Sequence, residues 1–234
     1  MDQEKFLDFM VRLLIIFLIL PVHEYAHAWM AYKLGDDTAS YQGRLTLNPL
    51  AHLDILGGIC LLLTGFGWAK PVPVDPLRFH RKHSMRFGMA ATAIAGPLSN
   101  LIVAFIGTII IRIYSITPYY TEYLRDTYLY DAAEFSYTDA PLLIYHFIAA
   151  FISINIGLAV FNLLPIPPLD GSKVVAYFTG PKVERWFNQN AQLVNIIFIC
   201  LLATRILTFP LSIVSGLIEG GMYFITSWIP MLFG

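Results

Sequence analysis

Charge is what this sequence has least of. Only 13% of its 234 residues are Asp, Glu, Lys or Arg, where a soluble domain carries near a quarter. That shortage excludes a sizeable water-soluble module. Charge of one sign is missing as well. A formal net charge of −1 offers no basic patch for nucleic acid. Cysteine is almost absent: Cys60 and Cys200 lie in apolar stretches and form no CxxC pair. They read as two small buried hydrophobes rather than a disulfide or thiol ligands. Internal repeats and low-complexity tracts are absent too. What remains is apolar residue, 57% of the chain, which implies an all-α polytopic protein of the cell membrane. One integral domain is expected over 1–234.

Five stretches are long enough to span a bilayer: about Phe6–Leu34, Phe87–Ile111, Pro141–Leu164, Ala191–Leu207 and Leu211–Ile229. Pro210 is the only break between the last two, so they predict a helical hairpin or one kinked unit, one or two C-terminal transmembrane helices in all. The apolar run Ile55–Phe66 has only 12 residues, which fits a re-entrant segment better than a crossing. The first apolar segment leads into Pro21-Val22-His23-Glu24 rather than a small-residue cleavage site, and is expected to be retained. Loop charges set the orientation. Gly67–Arg86 carries Lys70, Arg78, Arg81, Lys82 and Arg86 against Asp75, and Pro165–Asn190 carries Lys173, Lys182 and Arg185. These loops are expected to face the cytoplasm, and the acidic Arg112–Ala140 loop to face outward.

Against this background "LPVHEYAHAWMA", Leu20 to Ala31, is anomalous. His23 and His27 are spaced i, i+4, which on a helix sets both imidazoles on one face about 6 Å apart. The spacing suits two corners of a zinc tetrahedron. Glu24 stands beside the metal but off the ligand line, placed to take a proton from a metal-activated water. Polar packing inside a bundle is the competing explanation. It must absorb about 2.5–3.5 kcal/mol for a charged group at membrane depth.

A hydrolytic zinc needs a third protein ligand and an open position. The remaining His, Cys and acidic residues are candidates, and Asp170 is the best of them. It lies in "FNLLPIPPLDGSK", Phe161–Lys173, where three prolines break the third apolar helix. Such breaks are tolerated at membrane depth where they line protein or a wet cavity. A plain proline-rich turn before an Asp-Gly turn signal explains the stretch about as well by itself. Depth favours the ligand reading. His23 lies roughly 25 Å along its helix from Phe6, and Asp170 lies just past the cytoplasmic end of Pro141–Leu164. The two meet if the first helix also runs inward, which requires Ile55–Phe66 to re-enter.

His23-Glu24-x-x-His27 together with Asn162 and Leu169-Asp170-Gly171 resembles the site-2 protease family of intramembrane zinc metalloproteases. "GRLTLNPLAHLD" (Gly43–Asp54), "WAKPVPVD" (Trp68–Asp75) and "AGPLSN" (Ala95–Asn100) resemble its compact prokaryotic branch, which lacks PDZ and CBS domains. The resemblance covers about Phe6 to Lys173. It implies a three-helix catalytic core over about 6–173, with C-terminal helices over about 191–229. It further implies one Zn2+ per chain on His23, His27 and Asp170, with Glu24 as general base and acid. A short β-hairpin or edge strand at Tyr41–Leu47 and Trp68–Val74 would hold an unwound substrate. Asn162 would bind the substrate or orient its carbonyl, although a helix–helix hydrogen bond accounts for it comparably. The implied activity is endoproteolysis of a transmembrane or membrane-associated protein near the cytoplasmic face, and the resemblance implies no particular oligomeric state.

Weaker candidates are weighed the same way. Asn100 and Asn155 read as hydrogen bonds between helices. His52 is a candidate for supporting the metal ligands from behind or for gating, against a loop histidine satisfied locally. A metal-ion transporter built on the same ligands would need polar groups at graded depths, and Ala191–Ile229 offers few.

Overall fold

The computed structural model describes residues 3–64, 67–129 and 139–233. Asp131 and Glu134 of the expected outward loop, and the last two residues of Ile55–Phe66, lie outside them.

The chain opens as one long helical rod. α1 (Gln3–Leu14) passes through a π-helical turn at Ile15–Ile19 into α2 (Leu20–Lys33). Pro21 has no N–H to give the preceding turn, and the ladder widens just before it, with Leu20 N–H bonding the Ile15 carbonyl. Two single-turn helices follow, α3 (Thr38–Tyr41) and α4 (Pro49–His52), then α5 (Ile55–Thr64). At ten residues, α5 is about 15 Å long, half the thickness of a bilayer core. The Arg12 guanidinium takes the Leu61 carbonyl at 3.2 Å and so holds the last turn of α5 against α1.

α6 (Met85–Tyr114) is the central helix. Ser84 caps it by accepting the Phe87 N–H. Its buried face is built of small residues, among them Gly88, Ala90, Ala93, Gly96 and Ala104. These let α2 on one side and α8 (Ala140–Asn162) on the other approach its backbone closely. The opposite face carries Ile102, Ile106, Ile110 and Ile113, all about half exposed. Such a stripe is suited to lipid. Between them lies α7 (Pro118–Leu129). A compact apolar core forms where Ala104 and Ile111 meet Ile152, Ile156 and Val160, with Leu211, Ile218 and Met222 packed against it.

Leu163–Leu169 breaks the chain after α8, and α9 (Asp170–Thr179) starts on Asp170 itself. α10 (Pro181–Gln189) and α11 (Ala191–Ala203) meet at 81°. α12 (Thr208–Ile225) and α13 (Trp228–Phe233) end the chain. Among the described residues, four helical stretches are long and apolar enough to cross a membrane: Phe9–Lys33, Met85–Tyr114, Ala140–Asn162 and Thr208–Leu232. A fifth results if the bent α10–α11 pair is one span.

Three expectations change in detail. The C-terminal break falls at Thr204–Leu207, where Arg205 adopts φ 54°, and not at Pro210. Pro210 lies in the first turn of α12, where a missing N–H costs nothing because that turn's donors have no intrahelical partner. Cys60 is half-buried and Cys200 exposed, both free, because the apolar stretch around Cys200 turns partly outward. No sheet forms among the described residues. The expected hairpin reduces to one antiparallel bridge between Leu53 and Ala69. Tyr41 closes α3, and Pro71 and Pro73 cannot donate to a ladder.

Candidate metal centre

α2 and α6 bring together two histidines that could hold a metal ion. His23 and His27 project from one face of α2 with their rings nearly perpendicular, at 86°, and centroids 4.6 Å apart. Beneath them Gly96 of α6 has no side chain. A Cβ there would strike both rings. The third residue arrives 143 positions after His27, at the start of α9. Asp170 Oδ2 lies 3.1 Å from His27 Nε2 and 3.4 Å from His23 Nε2, and the two Nε2 atoms are 3.0 Å apart. All three residues are buried. Gly171 seats α9 there: a Cβ would overlap the Leu163 and Leu164 carbonyls at the end of α8.

The donor set fits a zinc ion on a chemical argument. His27 Nδ1 lies 2.7 Å from the Thr92 carbonyl, which can only accept, so Nδ1 carries the proton. His23 Nδ1 lies 2.6 Å from Asn100 Oδ1, and Asn100 Nδ2 donates in turn to Asn155 Oδ1 at 2.8 Å. His23 Nδ1 is therefore also the donor. With each neutral ring protonated at Nδ1, both Nε2 atoms carry lone pairs. In neutral rings of this tautomer two lone pairs and a carboxylate oxygen converge on one point. A cation suits this arrangement, and two nitrogens with one oxygen suit zinc.

A cavity of about 250 Å3 lies over this cluster, lined by His23, Glu24, His27, Asp170, Asn162 and residues of Trp68–Val74. Glu24 shares the cavity without being a member of the metal-binding group. The Val72 backbone N–H of the Trp68–Val74 strap lies within reach of its carboxylate. Asn162 faces the cavity while its Nδ2 donates to the Leu158 carbonyl at 3.0 Å. Its Oδ1 has no hydrogen bond recorded among the described residues. Lys173 Nζ stands 3.8 Å from Asp170 Oδ1 at the rim.

The remaining candidates lie around this cluster. Asn100, expected to join helices, does so through Asn155, but its other end holds the His23 ring. Thr92 escaped the sequence reading because its backbone carbonyl is what holds His27, and side-chain identity carries no signal for that. His52 lies in the adjoining layer. Its Nε2 donates to the Thr46 carbonyl at 2.8 Å, and its own carbonyl receives Lys70 N–H at 2.9 Å. Burial holds its imidazole below the ordinary histidine pKa, and the nearby Arg44 charge adds to this, against the Thr46 bond.

The model of peptidase family M50 matches residues 11–204. The chain is 42% identical over 207 residues to YwhC of Bacillus subtilis, whose name describes a zinc metalloprotease; the match covers 86% of each chain. It is 26% identical over 188 residues to Rip2 of Mycolicibacterium smegmatis, and 24% identical over 168 residues to Rip2 of Mycobacterium tuberculosis, both also named for zinc metalloproteases. Those matches cover 79% and 71% of this chain, and 63% and 56% of the relatives. No solved structure matches.

Proposed function

The chain belongs to peptidase family M50 and is a zinc metalloprotease, and from that premise we propose that it cleaves transmembrane or membrane-associated proteins within the bilayer, near its cytoplasmic face. The observation that carries the reading is the meeting of His23, His27 and Asp170 in a cavity that also holds Glu24. That cavity is reached from helices long and apolar enough to span a membrane.

His23, His27 and Asp170 hold the zinc, with Asn100 and the Thr92 carbonyl fixing the two rings. Bound zinc supplies Lewis acidity, which polarises a peptide carbonyl and makes water a usable nucleophile near neutral pH. Glu24 takes the proton from the attacking water and delivers it to the departing amide nitrogen, so that one carboxylate serves as base and then acid. The Val72 N–H keeps that carboxylate turned to the cavity. Asn162 offers its amide to the substrate backbone. The Trp68–Val74 strap presents an extended edge against which an unwound substrate lies, since a helical substrate hides its scissile carbonyl.

The α1–α2 rod, α6 and α8 form the three-helix core of a single domain, and α5 re-enters from the side on which it starts. The positive charge of loops 67–86 and 165–190 supports a site on the cytoplasmic side.

Cells carrying the wild type or Glu24→Gln, compared for fragments of their membrane proteins, test this. The expected outcome is retained zinc with cleavage reduced by roughly 10²–10⁴-fold. Undiminished cleavage by Glu24→Gln sinks the mechanism.

A further inference from the structure

Arg44 is the one buried arginine of the loop between α3 and α4, only 4% exposed. Its guanidinium has no carboxylate within ion-pair distance among the described residues. It is spent instead on backbone carbonyls of two separate segments. Nη1 donates to the Ala51 carbonyl, and Nη2 donates to the carbonyls of Lys70 and Pro71 at 3.2 and 3.1 Å. A buried cation is costly to desolvate unless hydrogen bonds satisfy it, and here the Ala51, Lys70 and Pro71 carbonyls do so. The position is telling. The Pro71 carbonyl and the Val72 N–H are the two ends of one planar, trans peptide unit. Arg44 grips the oxygen end, and the hydrogen end lies within reach of the Glu24 carboxylate, in the cavity that Glu24, Pro71 and Val72 line together.

From this geometry we propose that Arg44 is the positioning residue for Glu24, acting through the Pro71–Val72 peptide. The plane of that peptide decides where its N–H points, and its N–H decides where the Glu24 carboxylate sits. A charged donor on the carbonyl also polarises the peptide and strengthens the N–H as a donor. Pro71 fixes its own φ, so the strap has few other ways to turn. Lysine cannot replace this function: a single ammonium lacks the planar fork that spans Ala51 and the strap at once.

The inference rests on the proteolytic reading, and the test keeps the two apart. Arg44→Lys and Arg44→Gln are compared with the wild type for zinc content, for kcat and KM on a substrate that the wild type cleaves, and for the Val72 amide by NMR with selective 15N-valine labelling. Both variants are expected to keep one zinc per chain, with kcat falling by roughly 100-fold and by more than KM rises. The Val72 amide resonance is expected to move as it does in Glu24→Gln. Full kcat in either variant overturns the proposal. So does loss of zinc in the lysine variant, which would make Arg44 a general prop of the fold. So does an unmoved Val72 resonance. Failure of the wild type to cleave any membrane protein would count against the proteolytic reading instead, and the amide shift would still report on Arg44.

Discussion

Each histidine of the proposed zinc site is held by a partner that its own sequence neighbourhood does not contain. His23 and His27 are legible because a helix brings i and i+4 together by local geometry alone. The partner of His23 is 77 residues away, and the dipole that turns the ring is the side chain of Asn100. Nothing in "AGPLSN" distinguishes an asparagine bonding a helix from one bonding an imidazole. Here it does both. Asn100→Ala frees the His23 Nδ1 and lets the ring choose the wrong tautomer. Zinc affinity, measured by chelator competition, is expected to fall by about 10–100-fold, with Asn155→Ala having the smaller effect. Equal zinc affinity in Asn100→Ala and wild type would show that the ring is oriented some other way.

Elements place these residues, and here sequence patterns were less informative. α6 was readable as a span, but its role as the floor of the site depends on Gly96 lying beneath two rings. Pattern alone reports a small residue and not what crosses it. The Asp170 side is similar. Prolines announced a break, whereas the return of α9 against the end of α8 depends on contact between Gly171 and the Leu163 and Leu164 carbonyls. Gly171→Ala forces those backbones apart. It is expected to lower stability by about 1–3 kcal/mol and to lower zinc occupancy as Asp170 moves. Thermal unfolding with parallel metal analysis checks both, and a variant that unfolds like the wild type and keeps its zinc refutes this account of α9. The strap reads in sequence as half of a hairpin or as an edge strand. Its alternating prolines leave one edge without donors, and Arg44, His52 and Asp36 hold it by other bonds. Asp36 is fully buried, and its carboxylate accepts the Asp75 N–H at 2.7 Å.

At the scale of the whole molecule, low charge and long apolar runs gave the multi-pass architecture directly. Helix number towards the C-terminus stayed open, because the 81° bend between α10 and α11 depends on packing and membrane environment. The loop layer beside the site adds a pH dependence. Burial lowers the His52 pKa below 6.5, so the unfolded chain binds that proton more readily than the folded one. The contribution of His52 is whole above the unfolded value and is lost as pH falls towards the folded one. The protonated ring would also carry a second buried N–H, at Nδ1, which has no partner. The melting temperature of the wild type is expected to drop between pH 7.5 and 5.5 by more than that of His52→Gln. Parallel curves for the two proteins would remove His52 as the cause.

The central claim is that two histidines of the first span and an aspartate after the third long helix hold one zinc. Zinc content of purified wild type and Asp170→Ala, measured after the same mild chelation, tests it most directly. One zinc per chain in the wild type and little in Asp170→Ala is the predicted result. Asp170→Ala holding zinc as tightly as the wild type would contradict it.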